Sequence, residues 1–137
     1  MTYTIYVLSF GLSYTTFSVT NVEFKNQDCE GNFKGILTNF GNIKVSETLF
    51  LYLKVKSFDK NTEQNYTKVQ KLNKKLIQFL KFELNSQENI DFNFFINSNN
   101  LELISDNGDQ KLVNGDYILQ ISNGHDIQME QSCTILV

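Results

Sequence analysis

The chain contains no arginine, no proline and no tryptophan, and has a single histidine and only two cysteines. Without arginine it lacks the planar, bidentate fork preferred for phosphate and base-edge recognition. All twelve basic residues are lysines, set against fifteen carboxylates, for a net charge of -3. No field of that kind gathers nucleic acid or an anionic membrane surface. Neither partner is therefore expected. The missing proline and tryptophan, beside abundant Asn, Lys, Ile and Phe, look like codon bias and carry no functional message.

Long apolar runs are also lacking, none approaching the ~20 residues of a membrane-spanning helix. Residues 5–12 are mostly apolar, but no basic residue precedes them and no small-residue cleavage site follows. They are read as structure, and no signal peptide is expected in this chain. Two cysteines are too few for a thiolate metal site, and His125, alone after Asn123-Gly124, is expected in an exposed loop without a metal role. No cofactor is implied by these residues. Cys29 and Cys133 fall in an early loop and in the last strand, where they either form a disulfide or remain two separate thiols.

What is present is ample material for one core. A chain of 137 residues with 41% hydrophobic and 13% aromatic content is a single domain by length, and not a disordered one. Its pattern is overwhelmingly of period two. Strands are predicted at 14–25, 33–38, 48–58, 80–84, 89–96, 116–122 and 126–137, with a bulge near Thr20-Asn21 where the apolar parity switches. The strongest is 48–58, continuously apolar at first and then alternating, as in a central strand whose second half has one wet face. Residues 59–68 are predicted to be a polar surface loop. Apolar residues at 69, 72, 76 and 80 fit one face of a short helix, with lysines on the other. Three Asn-Gly pairs, at Asn107, Asn114 and Asn123, carry the chemistry of type I′ hairpin turns. About seven antiparallel strands at short spacing predict an all-β fold, an immunoglobulin-like β-sandwich. Tyr117, opening the penultimate strand, suits a tyrosine corner whose hydroxyl bonds back to the preceding loop.

The order of motifs resembles one known family. Gly11-Leu-Ser-Tyr-Thr-Thr-Phe17 is similar to the Gly-Leu-Ser-Tyr-Thr-x-Phe segment that leads into the fibronectin type III-like domain at the C-terminal end of glycoside hydrolase family 3 enzymes, the β-glucosidases and β-xylosidases. Thr38-Asn39, Gly41, Glu47 and Leu51-Tyr52 follow in the family's order, then Leu76, Phe79, Leu84, Glu88, Phe92 and Phe94, and finally Gly115, Tyr117 and Ile121. Gln78 and Gln87 stand where the family has glycine, so the resemblance is to a divergent member.

The resemblance covers nearly the whole chain and replaces the helix at 69–80 by an irregular crossing followed by a strand. It implies that residues 1–13 are a junction segment and 14–137 a fibronectin type III-like domain. It further implies that Phe10, Leu12, Tyr14 and Phe17 dock on the catalytic domains, in the same or a separate chain, and that the catalytic carboxylates lie upstream. Glu47 and Glu88 are then solvated or turn-capping carboxylates rather than the paired acids of a glycosidase. The chain is expected to be a non-catalytic accessory domain in carbohydrate metabolism, stabilising its enzyme and shaping the cleft. The parent family is often secreted or delivered to a lysosome or vacuole. The alternative is a freestanding immunoglobulin-like module that binds protein or carbohydrate through its loops. Asn65-Tyr-Thr67 is the one glycosylation sequon, and it lies in the predicted surface loop. Lys68, Lys71, Lys74 and Lys75 form a basic cluster, read as a solvated loop face or a weak anion contact.

Overall fold

Alternating burial along extended segments builds two four-stranded antiparallel sheets. The computed structural model describes the backbone of residues 3–9, 13–24, 28–72, 74–123 and 127–137, and the side chains of 17–24, 28–72, 74–123 and 129–137. Strands β1 (Tyr3–Ser9), β2 (Ser13–Phe24), β3 (Gly31–Asn39) and β6 (Asn89–Ile96) form the first sheet, in the order β1-β2-β3-β6. Strands β4 (Val45–Ser57), β5 (Lys75–Leu84), β9 (Gly115–Ser122) and β10 (Ile127–Ile135) form the second, in the order β10-β9-β4-β5. A small hairpin, β7 (Leu103–Ile104) with β8 (Gln110–Lys111), lies outside both. The fold is an all-β sandwich. The seven strands expected from the sequence correspond to β2–β6, β9 and β10, to which β1 and the β7–β8 hairpin are added.

The core forms where the inward parities of the two sheets meet. Phe33 and Leu37 of β3 and Phe92, Phe94 and Ile96 of β6 face Leu49, Leu51 and Leu53 of β4 and Tyr117, Leu119 and Ile121 of β9, all buried. Gly35 of β3 faces the same way and leaves room for Phe92, whose ring would stand 2.8 Å from a Cβ at that position. In β2 the register shifts between Thr20 and Glu23, with Asn21 at φ 51°, so the bulge sits where the parity switch placed it.

Two sequence expectations are corrected, and a third is decided in favour of the resemblance. Residues 75–84 are the strand that the resemblance set in place of a helix, because β4 offers that segment a full ladder from Val45↔Leu84 to Leu53↔Lys75. Only Thr67–Lys71 of the helical pattern is α-helical (α2). The loop at 59–68 contains α1 (Lys60–Glu63), N-capped by Asp59, whose Oδ1 accepts the Thr62 amide at 2.7 Å, and it also buries Tyr66. Asn-Gly does not act through a type I′ turn at either described pair. At 107–108 the positive φ belongs to Gly108 alone, at 94°, within the β7–β8 loop that the Ser105 amide closes by donating to Asp109 O at 2.8 Å. Gly115 instead starts β9, where a Cβ would meet the Phe58 ring at 2.8 Å and the Ser57 carbonyl at 2.9 Å. The pair at 123–124 falls partly outside the described residues.

Polar fasteners close both ends of the sandwich. Asn39, fully buried at the end of β3, donates from Nδ2 to the carbonyls of Ile43, Leu84 and Asn85 at 2.9, 3.2 and 3.2 Å. Its Oδ1 accepts the Gly41 amide at 2.8 Å, and its own amide donates to Glu88 O at 2.9 Å. At the opposite end Cys29, before β3, is joined to Cys133 on β10, with a Cα–Cα distance of 5.2 Å. Tyr117 makes the expected corner, its buried hydroxyl donating to Val113 O at 2.6 Å. Burial, and then the neighbouring Tyr66, push its phenol well above the ordinary tyrosine range.

Two consequences can be measured by urea denaturation. Replacing Asn39 by Ala removes a buried side chain's bonds to the buried Leu84 carbonyl and the half-buried Ile43 and Asn85 carbonyls, and is expected to cost about 3 kcal/mol. Reducing the Cys29–Cys133 bond, which closes a 104-residue separation, is expected to cost about 2–5 kcal/mol. The unreduced native chain should also resist thiol alkylation; free reaction with iodoacetamide would show two separate thiols.

Candidate functional site

β4 is apolar on both of its faces from Leu49 to Leu53, and that property creates the surface of interest. Leu49, Leu51 and Leu53 point into the core, so the alternation of the pleat turns Phe50 and Tyr52 to the outside of the second sheet. Across the ladder Phe79 stands opposite Phe50, and Leu76 opposite Tyr52. The Phe50 ring lies 6.3 Å from Tyr52, inclined by 28°, and 6.4 Å from Phe79. Phe79 remains 54% exposed and Leu76 45%. Lys74 Nζ sits 4.2 Å above the centroid of Tyr52, a cation–π contact, while Lys81 lies 6.0 Å from that of Phe79. On the other flank β9 places Gln120 beside Tyr52 and Ser122 beside Phe50. Gln120 Nε2 donates to Glu130 Oε1 on β10 at 3.1 Å. The result is a flat aromatic surface with polar borders, suited to contact rather than to bond-making chemistry.

The expected site residues are dispersed. Phe17 of the anticipated docking segment is 3% exposed and packs into the sandwich's own core, because its parity on β2 points inward with Val19. Phe10 and Leu12 lie outside the described residues, as does the side chain of Tyr14, whose backbone pairs with Leu8 of β1. Segment 1–13 thus includes an edge strand of the first sheet. His125 also lies outside the described residues.

Both carboxylates weighed as a catalytic pair bond to local backbone. Glu47 Oε1 accepts the Thr48 amide at 3.1 Å, and Glu88 Oε1 caps its turn by accepting the Asn85 amide at 2.8 Å. Among the described residues, no three His, Cys, Asp or Glu side chains gather as metal ligands would. Asn65 is exposed between α1 and α2, with Nδ2 donating to Asn61 O at 3.3 Å.

The lysine cluster divides: Lys68 and Lys71 lie on α2, Lys74 over Tyr52, and Lys75 donates to Glu102 O at 2.8 Å. Sequence reasoning passed over Phe50, Tyr52 and Phe79. The signal available was the continuous apolar run 49–53, since a strand wet on one face alternates from its start.

α2 has no cap of its own, because Tyr66 precedes it. Asp106, from the β7–β8 loop, supplies one across 39 residues: it accepts the Thr67 hydroxyl at 2.7 Å, the Thr67 amide at 3.2 Å and the Lys68 amide at 3.1 Å. Those bonds, the Thr67 hydroxyl first, hold its carboxyl below the ordinary aspartate value.

No family model matches the chain. No curated protein matches it either. Solved structures do. The chain superposes on a GH3 β-glucosidase of Bifidobacterium adolescentis with a TM-score of 0.72 at 22% identity, over 92% of this chain and 18% of that one. A β-glucosidase of Kluyveromyces marxianus, solved with glucose, gives a TM-score of 0.71 at 19% identity, over 93% of this chain and 15% of that one. One from Listeria innocua, also with glucose, gives 0.69 at 15% identity, over 92% and 17%. At these identities the likeness establishes the fold. The chain spans less than a fifth of the length of each of these enzymes.

The Asp106 cap has a pH signature. Its folded value lies below the unfolded one, so its contribution is present above the ordinary aspartate range and is lost as pH falls through the folded value. The Asp106 carboxyl carbon is expected to titrate below 3.8, with the Thr67 and Lys68 amide shifts following it by NMR. A midpoint at or above 3.8 would show that the cap does not form in solution.

Proposed function

We propose that the chain is a non-catalytic accessory domain of a β-glucosidase-type glycosidase, packing on the catalytic body, stabilising it and shaping the rim of its cleft. The observation that carries this reading is the lopsided likeness: 92% of this chain matches only 18% of a β-glucosidase. A sandwich that makes up a small, separable part of a large hydrolase has a supporting place in it. The ordered motifs from Gly11 to Ile121 support the finer assignment to the fibronectin type III-like domain of family 3 enzymes, whose substrates are β-glucosides and β-xylosides. So does the strand order, with β2-β3-β6 facing β10-β9-β4-β5. In this reading residues 1–13 are the junction and 14–137 the domain, and Phe10, Leu12 and Tyr14 face the body. The outer aromatic surface of Phe50, Tyr52 and Phe79 is a second contact, and the nucleophile and general acid belong to the body. Asn65 carries a glycan if the enzyme is secreted.

The test is immunoprecipitation from the source organism with antibodies against this chain, followed by assay on 4-nitrophenyl β-glucoside and β-xyloside. Glycosidase activity should co-purify, with this chain's peptides in a polypeptide several times longer or in a stoichiometric complex with a glycosidase. Recovery of a lone 15.9 kDa protein without activity would overturn the proposal and favour a freestanding immunoglobulin-like binding module.

A further inference from the structure

The second sheet is incomplete along one side. The β4–β5 ladder ends at Leu53↔Lys75, so β4 runs on past Leu53 paired with β9 on one side and with no strand on the other. An apolar cleft of about 270 Å³ fills the gap, walled by Leu53, Val55, Val69 and Leu103. Its lips are Leu72, just after α2, and Ile104 on β7, which remain 72% and 54% exposed. Lys74 and Lys75 also line it. The volume falls below the roughly 300–1,000 Å³ of small-molecule sites, and it suits a side chain rather than a cofactor.

Charge narrows the occupant. Residues 64–82 contain five lysines (68, 71, 74, 75 and 81) and no carboxylate, in a chain whose net charge is -3. Asp106, which approaches Lys68, is already taken up in capping α2. Lys74 also lies over the Tyr52 ring, so one lysine borders both the cleft and the outer aromatic surface of the second sheet.

We infer that the cleft anchors one large apolar side chain carried on an acidic segment of the glycosidase body. This rests on the accessory-domain reading. The apolar walls desolvate the anchor, and the lysines select carboxylates on either side of it.

The test is a methyl and amide NMR titration of the 137-residue chain with an acetylated, amidated Asp-Glu-Phe-Glu-Asp peptide. Saturable shifts are expected at Val69, Leu103 and Ile104. Affinity should fall at least about fivefold when salt rises from about 50 to 500 mM, as screening predicts. Leu72→Asp, at a position too exposed to be needed for folding, should abolish binding, and Lys74→Glu with Lys75→Glu should weaken it at least about tenfold. Unchanged amide dispersion elsewhere verifies that the variants fold. The inference is overturned if the peptide gives no saturable shift, or if Lys-Lys-Phe-Lys-Lys or Asp-Glu-Ala-Glu-Asp does as well. Saturable binding of octanoate without peptide binding would assign the cleft to a small amphiphile and overturn it too. Glycosidase activity recovered with the chain, beside a silent cleft, would remove the anchor and leave the accessory role standing.

Discussion

A fully buried amide must find all its partners within the protein, and Asn39 finds them on both sheets at once. It ends β3 of the first sheet, yet its side chain binds the carbonyl at the end of β5 in the second, the next carbonyl after it, and the loop that carries the chain across. The crossing from β3 to β4 and the turn from β5 to β6 are therefore held by one side chain. Removing it takes a donor from the buried Leu84 carbonyl, which costs more than the net worth of the bond itself. The sandwich depends on this closure because most of the contact between its two sheets is non-directional apolar packing.

The Cys29–Cys133 bond does the corresponding work at the other end, by a different physics. It limits the freedom of the unfolded chain instead of satisfying a group in the folded one. With both ends held and Tyr117 fixing the start of β9, the outer face of the second sheet is a stable platform. Its aromatic rings carry the lysine over Tyr52, which also borders the apolar cleft past the end of the β4–β5 ladder. Under the accessory-domain proposal, this is a face held against the larger body.

Much of this was legible before any coordinates. The parity switch at Thr20-Asn21 located a bulge that Asn21 realises with a positive φ. Tyr117 was recognisable as a corner because a tyrosine opening a penultimate strand has a loop carbonyl within reach. The segment at 75–84 was ambiguous by periodicity, since apolar residues at 76 and 80 satisfy a helix as readily as an edge strand with a bulge. Phe17 was assigned outward on the strength of a resemblance, while its own parity with Val19 pointed inward. The cap on α2 was invisible, because no rule of local spacing connects Asp106 to Thr67.

What the sequence by itself determined is the seven principal strands of the sandwich and, along most of them, which side chains face the core. That follows from the pleat, a local property that successive residues carry wherever the strand lies. Tertiary structure alone decided that Cys29 would meet Cys133, and that Asn39 would satisfy the end of a strand in the other sheet. Each of these joins groups about 30 to 100 residues apart. Their energies exist only once loop closure has been paid for, and so no window along the chain could show them.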